Sequence, residues 1–274
     1  MLALVFALFT TLSSFSAVND KLPNSHFPYY GHEFYQAYPK SVSKELIGKV
    51  LNSSHKANTG KYDTISEDCT NNCYNAVSLG YDSARKIMFG KLFAKNDSKG
   101  MYVEDVYCGK KFYFRDVNEA MRMNNEVNTE HTWPQSKFTG HFPRDVQKSD
   151  LHHLYPTDSE ANAKRGNFSF GTVPEDEDEL NMPDCEISEL SKRGEIKFEP
   201  PQDHRGNVAR SLFYFSTRYK MPIDAKQEAT LRQWHKEDPV DAAEINRHQI
   251  ISEYQKVRNP FVDYPELVDT IKDF

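Results

Sequence analysis

The chain has 274 residues, of which 27% are charged and 13% are aromatic, a composition typical of a folded globular protein and not of a disordered one. Its net charge of −6 argues against tight binding of nucleic acid through bulk positive charge. The charge still permits an enzyme that engages a phosphate backbone through a metal ion. Part of the acidic excess is the run EDEDE at residues 175–179, which is typical of a solvated loop.

The first seventeen residues, MLALVFALFTTLSSFSA, are apolar and then small and polar, as in a secretory signal peptide. No Lys or Arg precedes the apolar run, which is too short to span a bilayer comfortably. No other stretch is a transmembrane candidate. We therefore expect a signal peptide at residues 1–17 and one exported domain at residues 18–274, secreted or periplasmic, without membrane contact.

The chain has four cysteines, and an even number in an exported protein favours disulfides. Cys69 and Cys73 are close enough in sequence to close a small loop, which would leave Cys108 to pair with Cys185. A zinc site with four cysteine ligands is the alternative, but such sites usually show two close cysteine pairs. Only one close pair exists here, so the sequence favours two disulfides.

The first half of the chain contains two predicted helices and a hairpin. Apolar residues recur at helical spacing in residues 42–55. A second helix is predicted at residues 82–93, with Asp82 or Ser83 as its N-cap. Residues 100–114 alternate Val and Tyr around a turn and predict two strands.

The middle of the chain predicts the order strand, long loop, strand, helix. The strands are predicted at residues 127–133 and 151–155, each ended by a proline. The sequence TDSE then fits a capping box, which starts a helix at residues 158–165 with Asn162 near its middle. Gly166 lies where a helix commonly ends in a glycine.

The C-terminal part predicts a loop followed by helices. Residues 171–201 are acidic and loop-like, and helices are predicted at residues 207–220, 225–236 and 240–257. Asn207 is a plausible cap for the first of them, and a D-x-x-E cap starts the last. The fold class expected is therefore α+β, mostly helical, in a single domain.

Three side chains in residues 128–167 form a candidate hydrolase site. His131 is the best candidate general base, because a neutral imidazole accepts a proton from water near neutral pH. Glu130 and Asn162 offer the hard oxygen ligands that Mg²⁺ and Mn²⁺ prefer. Two protein ligands plus waters are typical of Mg²⁺ sites that also hold a substrate phosphate. Adjacent residues of a regular strand point to opposite faces, so Glu130 and His131 reach one phosphate only where the strand bends or ends.

A second polar cluster follows about twenty residues later. His152 and His153 would point opposite ways on a strand, one toward the site and one toward the core. Asp150 could accept an N–H bond and stiffen the loop. For each of these three residues, support of the site and a purely structural role stay open.

Cationic side chains surround the candidate site in sequence. Arg165 lies three residues after Asn162 and shares its helix face, where it could hold phosphate or pair with an acid. Arg144 lies on the loop between the strands. The loop also contains Lys137, His141 and Lys148. Contact with phosphates and a merely solvated basic loop are equally good interpretations of these three residues.

The motifs EHTWPQS, DLHHLYPTDSEAN and KRGN resemble the endonuclease I family of bacterial secreted nucleases, which belongs to the ββα-metal (His-Me finger) nucleases. YDSARKIMFG and VYCG resemble the N-terminal half of that family. HRGNVARSLFYFSTRY, QWHKEDPVDAAEINRHQII and RNPFVDYPELV resemble its helical C-terminal half. The resemblance covers most of the chain after about residue 62.

The resemblance implies a ββα-metal core with His131 as general base and Glu130 and Asn162 as ligands of one divalent cation. Mg²⁺ is the expected cation, with Mn²⁺ or Ca²⁺ as alternatives. The implied reaction is hydrolysis of DNA and of RNA, with little sequence preference and 5′-phosphate products. The resemblance also places His153 beside the site. Some members carry a Gly-Gly-Arg loop with a phosphate-binding arginine; here the loop TGHFPRDVQKS has only Arg144 for that role.

The sequence thus predicts a secreted, metal-dependent, sequence-non-specific endonuclease that acts as a monomer without a stable protein partner. One alternative is a catalytically silent nucleic-acid-binding protein of the same fold, which the acidic net charge permits. Another is a zinc hydrolase using His131, His152 and His153, although their spacing matches no standard zinc signature.

Overall fold

The computed structural model describes residues 27–59, 62–191 and 193–274. The predicted signal peptide at residues 1–17 lies outside the described residues. In the ranges that are described, helices combine with four small sheets, which confirms the α+β class. Within these ranges no helix is both long enough and apolar enough to cross a membrane.

The α-helices are α1 (Gly31–Ala37), α2 (Lys44–Asn52), α3 (Tyr81–Ile87), α4 (Val117–Arg122), α5 (Arg144–Lys148), α6 (Ser159–Arg165), α7 (Gln202–Tyr219), α8 (Ala225–Glu237), α9 (Ala242–Gln255), α10 (Pro260–Asp263) and α11 (Leu267–Thr270). The strands are β1 (Ser54–Lys56), β2 (Thr64–Ser66), β3 (Lys95–Asp97), β4 (Gly100–Glu104), β5 (Lys111–Phe114), β6 (Val127–His131), β7 (Leu154–Asp158), β8 (Ser169–Phe170), β9 (Glu189–Ser191) and β10 (Lys197–Glu199). β1 pairs with β2, β4 lies between β3 and β5, β10 lies between β8 and β9, and β6 pairs with β7.

The antiparallel pair β6–β7 leads directly into α6 and forms a strand–strand–helix unit, as the sequence predicts. Its register runs from Val127 opposite Asp158 to His131 opposite Leu154. The first strand ends at His131, two residues earlier than expected. The expectation that Pro156 ends the second strand is wrong. The Pro156 carbonyl accepts a 3.0 Å bond from the Val106 N–H, so its backbone faces away from β6 and the missing proline N–H costs no ladder bond.

The start of the second strand also differs from the prediction. Leu151–His153 is a 3₁₀ turn, and Asp150 caps it by accepting a 3.1 Å bond from the His152 N–H. The helix α6 is capped by Asp158, one residue later than the TDSE box implies, through bonds to the N–H groups of Glu160 and Ala161. Gly166 ends the helix with φ +59°, as predicted.

Several other predicted boundaries of helices and loops differ from the structure, each for a local reason. α3 starts after Gly80, whose φ is +71°, so neither Asp82 nor Ser83 caps it, and a π-helical turn at Met88–Leu92 continues it. α7 starts at Gln202, so Asn207 lies inside the helix and is not its cap. The predicted loop at residues 171–201 contains the short strands β9 and β10. The cap of α9 is confirmed, because Asp241 accepts from the Glu244 N–H.

Both expected disulfides are present. Cys69 is bonded to Cys73, and Cys108 is bonded to Cys185. This pairing uses all four cysteines, so the alternative of a four-cysteine zinc site is wrong. The long-range Cys108–Cys185 bond ties the turn between β4 and β5 to the segment that precedes β9.

The helix α7 is buried on nearly every side and lies in the larger hydrophobic cluster. A second cluster gathers residues from α3, β4, β5, β6 and β7. The strand–strand–helix unit contributes residues to both clusters. Its helix packs in the larger cluster and its strands pack in the second, and α7 supplies polar side chains to the turn that precedes β7.

Candidate active site

His131 is the last residue of β6 and its side chain is held in one orientation. Its Nε2 lies 3.1 Å from the Lys148 carbonyl oxygen. A carbonyl only accepts hydrogen bonds, so Nε2 carries the proton and Nδ1 keeps its lone pair. Burial, and next the charge of His153, lower the pKa of His131 well below its ordinary value, so the imidazole is neutral at neutral pH. His131 is therefore a neutral imidazole with a lone pair on Nδ1.

Glu130 lies on the opposite face of β6 from His131 and faces α6. Its Oε1 is 3.1 Å from Nη1 of Arg165, and both side chains are buried. Burial raises the pKa of Glu130, although Arg165 acts in the opposite direction. No donor in the described ranges makes a hydrogen bond to Oε1. The carboxylate therefore keeps unused acceptor capacity beside one cation.

Asn162 faces the same side of the strand from the middle of α6. Its Nδ2 donates to Asn128 Oδ1 at 2.6 Å and to the Thr129 carbonyl at 3.3 Å. These bonds use the nitrogen of the amide and orient the group. The amide oxygen Oδ1 stays available as an acceptor, because no donor bonds to it in the part of the chain that the structure describes. Asn162 is half-buried.

The strand stays regular up to His131 and ends there, so of the two expected possibilities the structure has the strand end and not the bend. His131 is still paired opposite Leu154, and the Thr132 N–H donates to the His153 carbonyl at 3.0 Å. The structure thus brings Glu130 and Asn162 to one face and His131 to the other, at the end of the strand. Arg165 fixes this end by donating to the carbonyls of His131 and Thr132.

Asp150 is fully buried and holds the turn before β7. Its Oδ2 accepts hydrogen bonds from Arg218, Tyr214 and Tyr219, all on α7. Burial, the largest single effect, favours a higher pKa, but Arg218, the two neighbouring histidines and the Tyr219 hydrogen bond together outweigh it and lower the pKa of Asp150 to about 2. These contacts favour the loop-stiffening role of Asp150.

The two neighbouring histidines point in different directions, as expected, although they lie on a turn and not on a strand. His153 is fully buried, its Nε2 is 2.8 Å from the Gln147 carbonyl, and its ring centroid is 5.3 Å from that of His131. Burial lowers the pKa of His153 to about 4. His152 faces the core, where its Nε2 lies 3.2 Å from the Val257 carbonyl. His153 therefore packs beside the base, and His152 belongs to the interior.

The two arginines differ in their access to solvent. Arg165 is 2% exposed, and its guanidinium contacts Glu130, backbone carbonyls and the face of Phe170. This burial favours a supporting role for Arg165 over phosphate contact. Arg144 is exposed on α5 and donates to the backbone and the side chain of Gln135. Its guanidinium is therefore open to solvent, whereas that of Arg165 is not.

Two contacts of the base were not predicted. The Lys148 carbonyl fixes the tautomer, and Gln135 Nε2 lies 3.4 Å from His131 Nδ1. Gln135 is part of the motif EHTWPQS, and that motif was the only sequence signal for it. The carbonyl contact has no sequence signal, because every residue has a carbonyl.

The residues present fit one hard divalent cation better than zinc. Among the described residues no cluster of three or more His, Cys, Asp or Glu side chains is placed to hold a metal, so the zinc hydrolase built on His131, His152 and His153 is wrong. Glu130 and Asn162, by contrast, present oxygen acceptors without donors on a common face. Oxygen ligands of this type suit Mg²⁺, Mn²⁺ or Ca²⁺.

The geometry defines an α+β protein in which a strand–strand–helix unit presents a neutral imidazole and a pair of carboxylate and amide oxygens. The family model of endonuclease I matches residues 44–266. The chain belongs to the endonuclease I family.

Similar proteins carry nuclease names. The chain is 36% identical over 166 residues to an extracellular ribonuclease of Bacillus subtilis, covering 53% of each chain. It is 30% identical over 118 residues to an endonuclease-1 of Buchnera aphidicola, covering 42% of this chain and 44% of the relative. It is 29% identical over 117 residues to an extracellular deoxyribonuclease of Aeromonas hydrophila, covering 42% of this chain and 49% of the relative. The chain spans about half the length of the curated relatives it matches first.

Proposed function

We propose that the protein is a secreted, metal-dependent, sequence-non-specific endonuclease that hydrolyses phosphodiester bonds of DNA and RNA to 5′-phosphate products. The observation that carries the proposal is the fixed neutral tautomer of His131 beside the oxygen pair Glu130 and Asn162. Relatives named extracellular ribonuclease and extracellular deoxyribonuclease support both substrates and export. The strand–strand–helix unit serves as the ββα-metal core, within one domain at residues 18–274.

The opposite faces of Glu130 and His131 suit an in-line displacement. In such a reaction the attacking and leaving oxygens lie on opposite sides of the phosphorus. A phosphate at the end of β6 meets His131 on one side and the Glu130 face on the other. The end of β6 at His131 would therefore allow both residues to reach one phosphate without a bend.

His131 takes the proton from the attacking water on Nδ1. The resulting imidazolium keeps its Nε2–H bond to the Lys148 carbonyl, which becomes stronger when the ring is charged. Because burial lowers the pKa of His131, the ring is already unprotonated at neutral pH and the base is ready for each turnover. The buried ring of His153 packs against the base and limits its rotation.

Glu130 and Asn162 would hold the divalent cation, expected to be Mg²⁺. When bound, such a cation neutralises phosphate charge and stabilises the leaving oxygen. Arg165 keeps the Glu130 carboxylate in place from the helix side. Arg144 is exposed on the loop between the strands and would contact a neighbouring phosphate. The site is complete within one chain, so we expect a monomer without a stable protein partner.

The direct test replaces His131 by Ala and measures cleavage of plasmid DNA and of RNA with Mg²⁺. Loss of a general base costs about 10²- to 10⁴-fold in rate, whereas binding should survive. His141→Ala on the exposed loop is the matched control and should retain full activity. EDTA should stop the wild-type reaction. Full activity of the His131 variant, or cleavage that resists the chelator, would contradict the proposal.

A silent nucleic-acid-binding protein is the second candidate, and the ion pair between Glu130 and Arg165 favours it, because a carboxylate committed to an arginine is a poorer metal ligand. Calorimetric titration with Mn²⁺ distinguishes the two functions. The proposed nuclease binds the ion, and Asn162→Ala weakens that binding. A wild-type protein without binding or cleavage would support the silent alternative.

A further inference from the structure

The amide of Gln135 lies beside Nδ1 of His131, the atom that accepts the proton in the proposed function. Gln135 lies in the 3₁₀ turn Gln135–Lys137, four residues after His131, and is half-buried. Its Nε2 is 3.4 Å from His131 Nδ1, the nitrogen that keeps a lone pair. A donor at this position fills the acceptor that an attacking water would otherwise use.

Arg144 fixes which end of the amide faces the base. Its Nη2 lies 3.4 Å from Gln135 Oε1, and its Nη1 lies 3.1 Å from the Gln135 backbone carbonyl. A guanidinium only donates, so the amide oxygen must face Arg144 and the NH₂ group must face the imidazole. The same orientation follows independently from the lone pair on Nδ1. Two constraints therefore agree on one arrangement.

Arg144 is the exposed end of this chain of contacts. Its guanidinium lies over the ring of Phe138, with 5.4 Å from the guanidinium carbon to the ring centroid. Within the described residues no carboxylate lies within ion-pair distance of it. An arginine without an acidic partner binds phosphate readily through two parallel bonds. The same two nitrogens that hold Gln135 would then face the phosphate.

We propose that Gln135 and Arg144 form a displaceable cover over Nδ1 of His131, which a phosphate group opens by taking over the Arg144 guanidinium. The role of the base in this proposal rests on the proposed function. The contacts of the Gln135 amide to His131 and to Arg144 are both long, at 3.4 Å, and a phosphate would replace the neutral acceptor of Arg144 by an anionic one, which forms shorter and stronger hydrogen bonds. The cover thus keeps the base from solvent in the free protein and opens it where a phosphate backbone arrives. Gln135 is a positioning residue that acts through His131.

The test measures access to Nδ1 directly and needs no nuclease activity. Diethyl pyrocarbonate acylates an unprotonated imidazole nitrogen, and peptide mass analysis gives the rate for each histidine. In metal-free protein at neutral pH, Gln135→Ala should raise the acylation rate of His131 about fivefold, the factor that corresponds to one neutral hydrogen bond. Arg144→Ala should raise it by a smaller factor. Exposed His141 serves as the internal reference.

Ser136→Ala is the matched control, since Ser136 lies in the same turn and is exposed. Equal acylation rates of His131 in the Gln135→Ala and Ser136→Ala proteins would overturn the proposal that Gln135 covers Nδ1. Inorganic phosphate, compared with chloride at equal ionic strength, should accelerate acylation of wild-type His131 and should not do so in Arg144→Ala. No acceleration in the wild type would overturn opening by phosphate.

Cleavage assays on the same proteins separate this inference from the proposed function. An inactive wild-type protein with the expected acylation rates would refute the nuclease and leave the cover in place. An active wild-type protein, together with equal His131 acylation rates in the Gln135→Ala and Ser136→Ala proteins, would refute only the cover.

Discussion

Arg165 Nη1 lies 3.1 Å from Glu130 Oε1, and each of these two side chains is only 2% exposed. The same guanidinium donates to the carbonyls of His131 and Thr132. The last turn of α6 is thereby tied to the end of β6. The position of the base and the position of the carboxylate depend on one buried arginine.

Arg165→Met should destabilise the protein strongly, because it leaves Glu130 buried without its cation. We expect a loss of about 3–5 kcal/mol in the free energy of unfolding, measured by urea denaturation. The double variant Glu130→Gln with Arg165→Met should lose less than the sum of the two single variants, since it leaves no unpaired charge. Additive losses would show that the pair is not coupled.

The Asp150–Arg218 pair predicts a specific acid sensitivity. The pKa of Asp150 is lowered from 3.8 to about 2, so the folded state binds this proton less readily than the unfolded state. Its contribution to stability is complete above about pH 4 and is lost as pH falls toward 2. At about 1.4 kcal/mol per pKa unit, it amounts to about 2 kcal/mol.

Urea denaturation between pH 5 and pH 2.5 measures this contribution. Asp150→Asn should be less stable at pH 5, where it leaves Arg218 without its anion, and its stability should fall less steeply with acid. Asp145→Asn, at an exposed position nearby, should follow the wild-type slope. A wild-type slope in the Asp150 variant would contradict the assignment.

The two disulfides should contribute unequally to stability. Cys108–Cys185 closes a loop of sequence separation 77, whereas Cys69–Cys73 closes one of 4. In the chain-entropy view, the longer loop gives about 4.5 kcal/mol and the shorter about 2 kcal/mol. Replacing both cysteines of a pair by serine removes that disulfide. The thermal midpoint of unfolding should fall more in the variant that lacks Cys108–Cys185 than in the variant that lacks Cys69–Cys73. A larger fall for the short loop would refute this ranking.

The elements that could be predicted from sequence are those with local causes. The order strand, loop, strand, helix followed from apolar patterns, a capping sequence and Gly166. The turn Leu151–His153 was missed because Asp150 is held by Arg218, which is 68 residues away in sequence. The short helix α5 was missed because five residues carry no clear apolar period.

The residues of the candidate site also divide into those with a local sequence signal and those without one. The residue types at Glu130, His131 and Asn162 and their flanking motifs were visible in the sequence. The ion pair to Arg165 was one of two interpretations, since contact with a phosphate also fitted the spacing. The carbonyl that fixes His131 and the amide that covers it depend on how the loop folds back over β6, and no local pattern encodes that.

The tautomers of the buried histidines give a further test of this loop packing. The Nε2 atoms of His131 and His153 each face a backbone carbonyl, from Lys148 and Gln147 respectively. Both rings should therefore be neutral with the proton on Nε2, which ¹⁵N NMR of labelled metal-free protein reads directly. His153 should stay neutral until about pH 4, because burial lowers its pKa. Between about pH 6.5 and 4 the unfolded state binds that proton and the folded state does not, so this group lowers stability as pH falls. Protonation of His153 near pH 6.5, or a proton on Nδ1 of His131, would contradict this packing.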